Sequence, residues 1–168
     1  RSSRELGADR QYEGDVNGAE FSPDGKQLAT TSADGSVRRY QLSAGTLALA
    51  HSVRPEGGRQ PFGLAYSPDG SQIAVGFADT PIVTLLQADS LAKAHITDSA
   101  GVSRGGLSAL AWSRDGQVLY AGGTWRRADG QHGLRQWGDR GRGAATDRAL
   151  ARNSVTGLHA LADGRVVY

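Results

Sequence analysis

The sequence has no cysteine, no methionine, only five prolines and no long apolar run. Without cysteine there can be no disulfide framework, thiolate metal site or cysteine nucleophile in these residues. No stretch approaches the roughly 18 apolar residues that a membrane-spanning helix needs, and none resembles a signal peptide. Because the chain starts at Arg1 and lacks methionine, we expect it to be a piece of a longer protein.

Glycine is the residue in excess, with 24 among 168 residues. That is about twice its average usage of about 7%. The glycines are spread along the chain at intervals, which is typical of tight turns between short strands and not of a disordered linker.

The net charge of +2 conceals an asymmetry between the two halves of the chain. Residues 1–84 carry 8 basic and 10 acidic side chains, whereas residues 85–168 carry 11 and 7. The plain interpretation is a solvated surface rich in arginine, and the alternative is a basic patch for an acidic partner. The sequence disfavours nucleic acid, because the basic residues are not interleaved with aromatic rings on which bases could stack.

A turn motif recurs four times, at spacings of 45, 46 and 48 residues. Its copies are Ser22-Pro23-Asp24-Gly25, Ser67-Pro68-Asp69-Gly70, Ser113-Arg114-Asp115-Gly116 and Leu161-Ala162-Asp163-Gly164. Proline fixes φ, aspartate bonds its own backbone and glycine supplies the positive φ that closes the turn. The flanking apolar segments are therefore predicted to be antiparallel strands of a hairpin.

Further turn signals divide each repeat into four short strands. The predicted units are blade 1 at 15–53, blade 2 at 61–98, blade 3 at 106–150 and the first half of blade 4 at 155–168. Residues 1–14 remain as a linker or a ring-closing strand. A small four-stranded sheet cannot bury both faces alone, so such sheets stack radially. We predict an all-β fold, a β-propeller of antiparallel blades that is incomplete at about three and a half blades.

The repeats resemble WD-repeat β-propellers from about residue 15 to the end. In that family the third strand ends in Trp-Asp, and the corresponding pairs here are Tyr40-Gln41, Leu85-Leu86 and Trp137-Gly138. The Gly-His dipeptide expected before the first strand is missing from every copy. The family's His–Ser/Thr–Trp–Asp network therefore cannot be assembled in full. The resemblance implies that Asp34 survives as the turn-fixing member and that apolar packing holds the blades more than in typical members.

A narrower resemblance concerns the propellers of large bacterial proteins. Residues 60–70, 74–79 and 119–123 look like propellers that follow a caspase-like peptidase or a signalling NTPase. That resemblance implies a sensing or partner-binding half of a switch. No peptidase residues lie in these 168 positions.

Blade 3 has an expanded loop between its second and third strands, at residues 123–132. In the family such loops, together with those between blades, line the rim that is the commonest docking face. Trp125 beside Arg126 and Arg127 has the composition of an interface hot spot, and His132 closes the loop. We predict these four residues to bind a protein partner. The alternative is a surface loop whose tryptophan folds back onto its own blade.

The sequence predicts no catalytic, cofactor or metal site. The four histidines, His51, His95, His132 and His159, are not at ligand spacing. A propeller enzyme would place reactive groups at the inner ends of the first strands, where the residues here are Val16, Asn17, Gly63, Leu64, Ser108 and Ala109.

We therefore expect a cytoplasmic interaction module, a scaffold or sensor. Its partners would be proteins and the remainder of the propeller, from the same gene, a cleaved chain or another copy. Two alternatives remain. One is ligand or nucleic-acid binding by the arginine-rich third blade; the other is an enzyme with its site in sequence outside these residues.

Overall fold

The structure is a computed structural model that describes residues 7–102, 104–151, 153–161 and 163–168. Within them lie fourteen strands and one 3-10 turn, Asp139–Gly141. The strands are β1 Val16–Phe21, β2 Gln27–Ser32, β3 Val37–Ser43, β4 Thr46–Val53, β5 Pro61–Tyr66, β6 Gln72–Phe77, β7 Val83–Gln87, β8 Lys93–Ile96, β9 Ala109–Trp112, β10 Leu119–Gly122, β11 His132–Trp137, β12 Ala145–Ala151, β13 His159–Ala160 and β14 Val166–Val167.

The strands form sheets in which neighbours in sequence are neighbours in space. Three sheets have four strands, in the orders β1-β2-β3-β4, β5-β6-β7-β8 and β9-β10-β11-β12, and β13 pairs with β14. Every pairing is antiparallel. We refer to the three sheets as blades 1, 2 and 3 and to β13–β14 as the terminal hairpin. The predicted all-β fold with four-stranded antiparallel blades is confirmed.

The repeated turn motif builds the same hairpin in each blade. In blade 1 the Ser22 hydroxyl donates to Asp24 Oδ1 (2.6 Å), and its oxygen accepts the backbone N–H of Gln27 (2.9 Å). The same bonds form at Ser67 and Ser113. Gly25 closes the first turn with a φ of 71°, where only glycine is unstrained. Each hairpin is thus specified by residues within six positions of one another.

Two apolar clusters hold the blades to one another. One lies between blades 1 and 2 and includes Val37, Leu64, Ile73, Phe77 and Leu86. The other lies between blades 2 and 3 and includes Leu85, Leu107, Trp112, Trp125 and Trp137. These clusters show directly that the faces of neighbouring blades bury each other.

The backbones of blades 2 and 3 approach each other closely where β5 and β6 meet the segment that enters blade 3. A Cβ placed on Gly63 would collide with the carbonyl oxygen of Ser108, and one on Gly76 would collide with that of Leu107. The indole N–H of Trp112 donates to the carbonyl of Ala65 (3.1 Å). Small residues here let the sheets approach until polar backbone and side-chain groups bond across the interface.

Residues 7–14, part of the segment expected to be a linker or ring-closing strand, contain no strand. They instead lie against blade 1, where Asp9 and Tyr12 contact β2 and β3 side chains. Residues 1–6, which belong to the same predicted segment, are outside the described residues.

Candidate partner-binding rim

One end of the blades carries the β2–β3, β6–β7 and β10–β11 connections together with the segments that enter each blade. We refer to this end as the loop rim. At blade 1, Asp34 accepts the backbone N–H of Ser36 (2.8 Å) and of Glu13 (3.3 Å). At blade 2, Asp79 accepts those of Arg59 (2.9 Å) and Gln60 (3.2 Å). Each carboxylate fastens the entering segment to the turn, which confirms the role expected of Asp34.

Blade 3 uses a hydroxyl for the same purpose. Thr124 Oγ1 accepts the backbone N–H of Gly106 (2.9 Å), and the backbone N–H of Thr124 returns to the Gly106 carbonyl (3.0 Å). The two bonds therefore attach the start of the expanded loop to the segment that enters blade 3, and residues 126–130 of the loop are half-buried or exposed.

Blade 1 has a polar network where the family's histidine and tryptophan are replaced by tyrosines. The Tyr12 hydroxyl bonds those of Thr30 (2.5 Å) and Tyr40 (2.7 Å). The Tyr40 hydroxyl in turn donates to Asp9 Oδ2 (2.6 Å), which also accepts Arg38 Nη1 (2.8 Å). Different residues thus build a polar network in blade 1, beside the apolar clusters that hold the blades together.

The charged groups of this network are largely buried, and the arginine is paired with carboxylates. The Tyr40 hydroxyl bond is the main cause that lowers the pKa of Asp9, and the guanidinium of Arg38 acts in the same direction. Burial is the main cause that raises the pKa of Tyr40. Arg38 also bonds Asp34 (3.3 Å) and lies 3.9 Å from the centre of the Tyr12 ring. The result is a cation held between two carboxylates beneath an aromatic ring.

Blade 3 repeats this arrangement with other residues. Arg135 lies two positions before Trp137, as Arg38 lies two before Tyr40, and it is only 1% exposed. Its guanidinium makes two bonds of 2.8 Å to Asp147 and lies 5.4 Å from the centre of the Trp125 ring. In both blades an arginine of the third strand is sandwiched between acid and aromatic groups near the loop rim.

The structure buries two of the four loop residues that were predicted to bind a partner. Trp125 is 1% exposed, with its ring over Gly133 and Arg135, and His132 is 4% exposed with Nδ1 bonded to the Trp125 carbonyl (3.0 Å). Both side chains are therefore buried, and burial removes the large apolar area of the indole from water. Partner binding by Trp125 and His132 stays a prediction. The alternative interpretation, a tryptophan folded back onto its own blade, describes Trp125.

The two arginines of the loop are differently placed. Arg126 is exposed, and its Nη1 donates to the carbonyl of Gly130 (2.9 Å). Arg127 is half-buried and bonds Asp129 Oδ2 (3.2 Å) and the carbonyl of Asp147 (3.1 Å). Partner binding by this pair stays a prediction. The structure holds their side chains close together at the mouth of one pocket.

That pocket has a volume of about 560 Å³. Its lining residues are Gly101, Arg104, Gly105, Thr124, Arg126, Arg127 and Ala128. We refer to it as the arginine pocket. It joins the expanded loop to the segment that enters blade 3, two parts of the chain that are about twenty residues apart. Arg104, which the sequence did not single out, becomes a candidate only through this proximity.

Groups that could support chemistry are dispersed. Among the described residues no cluster of three or more histidine, aspartate or glutamate side chains is placed to hold a metal ion. At the inner end of β1, the Asn17 amide donates to the carbonyl of Pro61 (3.0 Å) and so takes part in blade packing. No helix within the described part of the chain is long and apolar enough to span a bilayer.

Sequence reasoning missed Asp9, Arg38 and Arg135, although a signal was present. In blades 1 and 3 an arginine precedes the aromatic of the third strand by two positions, the separation at which two side chains of a strand share a face. A charged residue on the same face as a core aromatic needs a partner acid. The sequence could have prompted a search for that acid.

Comparison with known proteins supports the family resemblance. Residues 6–41 match the family described as "WD domain, G-beta repeat". The chain is 30% identical over 128 residues to a guanine nucleotide-binding protein subunit beta of Arabidopsis thaliana, covering 74% of the chain and 33% of that relative. It is 34% identical over 79 residues to Protein groucho of Drosophila melanogaster, covering 45% of the chain and 10% of that relative. The chain thus spans about a third of the length of the first relative.

A solved structure shares the fold. The crystal structure of the RRP9 WD40 repeats superposes with a TM-score of 0.73 at 18% identity, over 89% of this chain and 43% of that one. This likeness covers 89% of the chain, whereas the family model matches residues 6–41. Residues 6–41 are therefore a WD40 repeat, and the chain folds as consecutive blades of a WD40 β-propeller.

Proposed function

We propose that this chain is a non-catalytic protein-interaction module that docks a partner at the loop rim of blade 3. The observation that carries the proposal is the way the expanded loop is held. Trp125 and His132 are buried at its two ends, while Arg126 and Ala128 between them are exposed. A loop fixed at both ends loses little conformational entropy when a partner binds its exposed part.

The relatives favour an interaction role. The Arabidopsis relative is by its description one subunit of a guanine nucleotide-binding protein, so its own repeats belong to an assembly. Within the described residues of this chain, no group of three or more histidines and carboxylates is placed to hold a metal ion. A scaffold or sensor role needs no such group, because shape and surface charge suffice.

A second partner is the remainder of the propeller. Phe21 is 51% exposed, whereas the residues at the same position of blades 2 and 3, Tyr66 and Trp112, are 5% and 7% exposed. Those two are covered by the preceding blade. We infer that a further blade covers Phe21 and its exposed neighbour Val16. It would come from the same gene, from a cleaved chain or from another copy.

The wider setting remains a proposal. A bacterial protein with a caspase-like peptidase or a signalling NTPase beside the propeller gains no support from the relatives reported above, which include a plant and an insect protein. The flanking sequence would test that setting. A cytoplasmic location is likewise proposed and would be tested by fluorescence microscopy of a tagged protein.

The experiment compares two exposed alanines at opposite ends of the blades. A photo-crosslinking amino acid replaces Ala128 on the loop rim or, as the control, Ala92 in the β7–β8 turn. We expect illumination in cells of the source organism to give a discrete protein adduct from position 128 and none from position 92. Equal adducts at both positions, or none at position 128, would contradict docking at this rim.

A further inference from the structure

The arginine pocket is rich in side chains that donate hydrogen bonds. Three guanidinium groups line it, from Arg104, Arg126 and Arg127. The Thr124 hydroxyl oxygen already accepts the Gly106 N–H, so its own proton is free to point into the pocket. A lining that is cationic and donor-rich favours a ligand group that is anionic and accepts several hydrogen bonds.

The positive charge of the pocket is only partly neutralised by the protein. Asp129 pairs with Arg127 (3.2 Å). In the described part of the chain, no carboxylate lies within ion-pair distance of Arg104 or Arg126. Arg126 bonds only a backbone carbonyl through its side chain, which leaves its charge uncompensated. Arg104 and Arg126 therefore line the pocket without a counter-ion among the described residues.

The arginine ion pairs within the described residues show how this chain holds a carboxylate. Arg38 is bound by Asp9 and Asp34, Arg135 by Asp147, Arg140 by Asp69 and Arg127 by Asp129. In every one of these pairs the acceptor is the carboxylate of an aspartate. Carboxylate and guanidinium also match in shape, since two parallel N–H···O bonds can form. A carboxylate from outside could therefore bind Arg104 and Arg126 in the same geometry.

The pocket does not have the features of a nucleic-acid site. None of its seven lining residues is aromatic, and the neighbouring Trp125 is buried under the loop, where no base could stack on it. A peptide side chain fits this pocket better.

We infer that the arginine pocket binds an acidic peptide segment of a partner protein, with Asp or Glu carboxylates held by Arg104 and Arg126 and aided by the Thr124 hydroxyl. This inference rests on the proposed docking at the loop rim and specifies its chemistry. Arg127 is the positioning residue. Its bonds to Asp129 and to the Asp147 carbonyl keep the loop in place beside the entering segment.

The experiment measures binding of a fluorescein-labelled peptide rich in Asp and Glu to the 168-residue chain by fluorescence anisotropy. The matched peptide carries Asn and Gln instead, so that it has the same shape without the charge. We expect the acidic peptide to bind and the neutral one not to bind. We also expect the affinity to fall as NaCl is raised, because exposed charges are screened by salt.

Two substitutions test the location of binding. Arg104→Gln together with Arg126→Gln should weaken binding of the acidic peptide about tenfold or more, since each lost charge-assisted bond costs a factor of that order. The control is Arg142→Gln, an exposed arginine at the opposite end of blade 3. It removes one charge from the same blade, and the affinity should stay unchanged apart from a small general electrostatic effect.

Several outcomes would overturn the inference. One is an equal loss of affinity in the double variant and the control. Another is tighter binding of a single-stranded oligonucleotide than of the acidic peptide. The third is tighter binding of a peptide whose only charged side chain is one phosphoserine. The crosslinking test remains separate. An adduct at position 128 without acidic-peptide binding would remove only this inference, and peptide binding without any adduct would remove the proposed partner docking.

Discussion

Arg135 and Asp147 form a bidentate ion pair across β11 and β12, with Nε to Oδ1 and Nη2 to Oδ2 both at 2.8 Å. The two residues face each other in the strand register. Arg135 is 1% exposed, and its Nη1 finds no hydrogen-bond partner among the described residues. Asp147 is therefore the carboxylate bonded to a buried cation beneath the expanded loop, whereas the other bond of the guanidinium reaches the Ala100 carbonyl and Asp98 acts on the cation only at longer range.

Replacing Asp147 with Asn should therefore destabilise the fold. Removing one partner leaves the Arg135 charge buried without compensation, and we expect a loss of about 2–3 kcal/mol in the free energy of unfolding, less than for a fully enclosed pair because Asp147 is partly exposed. Urea denaturation followed by circular dichroism measures it. The control is Glu56→Gln, which breaks an exposed pair with Lys93 and should cost less than about 1 kcal/mol. Equal losses in the free energy of unfolding of the two variants would show that Asp147 does not stabilise a buried charge.

The fold was predictable because its signals are local. The Ser22 turn and its copies bond within six residues, so each hairpin can be recognised from a short stretch of sequence. The site was not predictable in the same way. Arg135 is an arginine in a short strand, and only the chain passing over it, with Asp147 and Trp125 arriving from separate segments, places it in the core.

The expanded loop shows the same limit. Its length and composition indicated an insertion with an aromatic residue, but two outcomes were open for Trp125. The space above Gly133 decides between them, since a residue without a side chain leaves room for the indole. That glycine lies eight positions away on β11, and the residues of the loop alone do not indicate a contact with it. Arg104 was missed for a similar reason, because only the fold brings it to the loop.

Gly63 provides a test of the blade packing. A Cβ at this position would collide with the Ser108 carbonyl of the next blade, so Gly63→Ala should destabilise the chain by about 1–3 kcal/mol through forced separation of two backbones. Gly138→Ala is the matched control, because nothing lies near a Cβ built there. It should change the free energy of unfolding by less than about 0.5 kcal/mol. Thermal or urea denaturation of both variants measures the difference, and similar values would refute close packing at β5.

The stability of blade 1 should depend on pH through Asp9. The Tyr40 hydroxyl lowers the pKa of this carboxyl below its ordinary value near 3.8. A lowered pKa in the folded state stabilises the fold above the ordinary value, and that contribution is lost as pH falls through the folded-state pKa. Tyr40→Phe removes the main cause of the shift, so the acid-induced loss of stability should become smaller than in the unaltered chain.

Urea unfolding at pH values from about 6 down to about 2 gives the measurement for that prediction. The matched control is Tyr168→Phe, since Tyr168 is 58% exposed and no hydrogen bond of its hydroxyl is seen within the described part of the chain. Its pH profile should follow that of the unaltered chain. If Tyr40→Phe leaves the acid limb unchanged as well, the hydroxyl bond to Asp9 does not set that carboxyl's pKa.

Trp125 and Arg126 are adjacent, but truncating them should change the free energy of unfolding by very different amounts. Trp125→Ala removes a buried ring from the cluster between blades 2 and 3, and we expect it to cost about 3–5 kcal/mol. Arg126→Ala removes an exposed side chain and should change the free energy of unfolding by less than about 0.5 kcal/mol. Denaturation curves of the two variants test this. An unaltered midpoint for Trp125→Ala would show that the indole does not anchor the loop.

Phe21 and Tyr66 occupy the same position in blades 1 and 2 but differ tenfold in exposure, at 51% and 5%. In the 168-residue chain, Tyr66→Ala should therefore cost about 3–4 kcal/mol, whereas Phe21→Ala should cost less than about 1 kcal/mol. The difference arises only because blade 1 covers Tyr66 and no described residue covers Phe21 in this way. In a longer chain that supplies a further blade, the cost of Phe21→Ala should rise to about that of Tyr66→Ala, as urea denaturation of both lengths would show. A cost that stays small in the longer chain would mean that the face around Phe21 is not where the propeller continues.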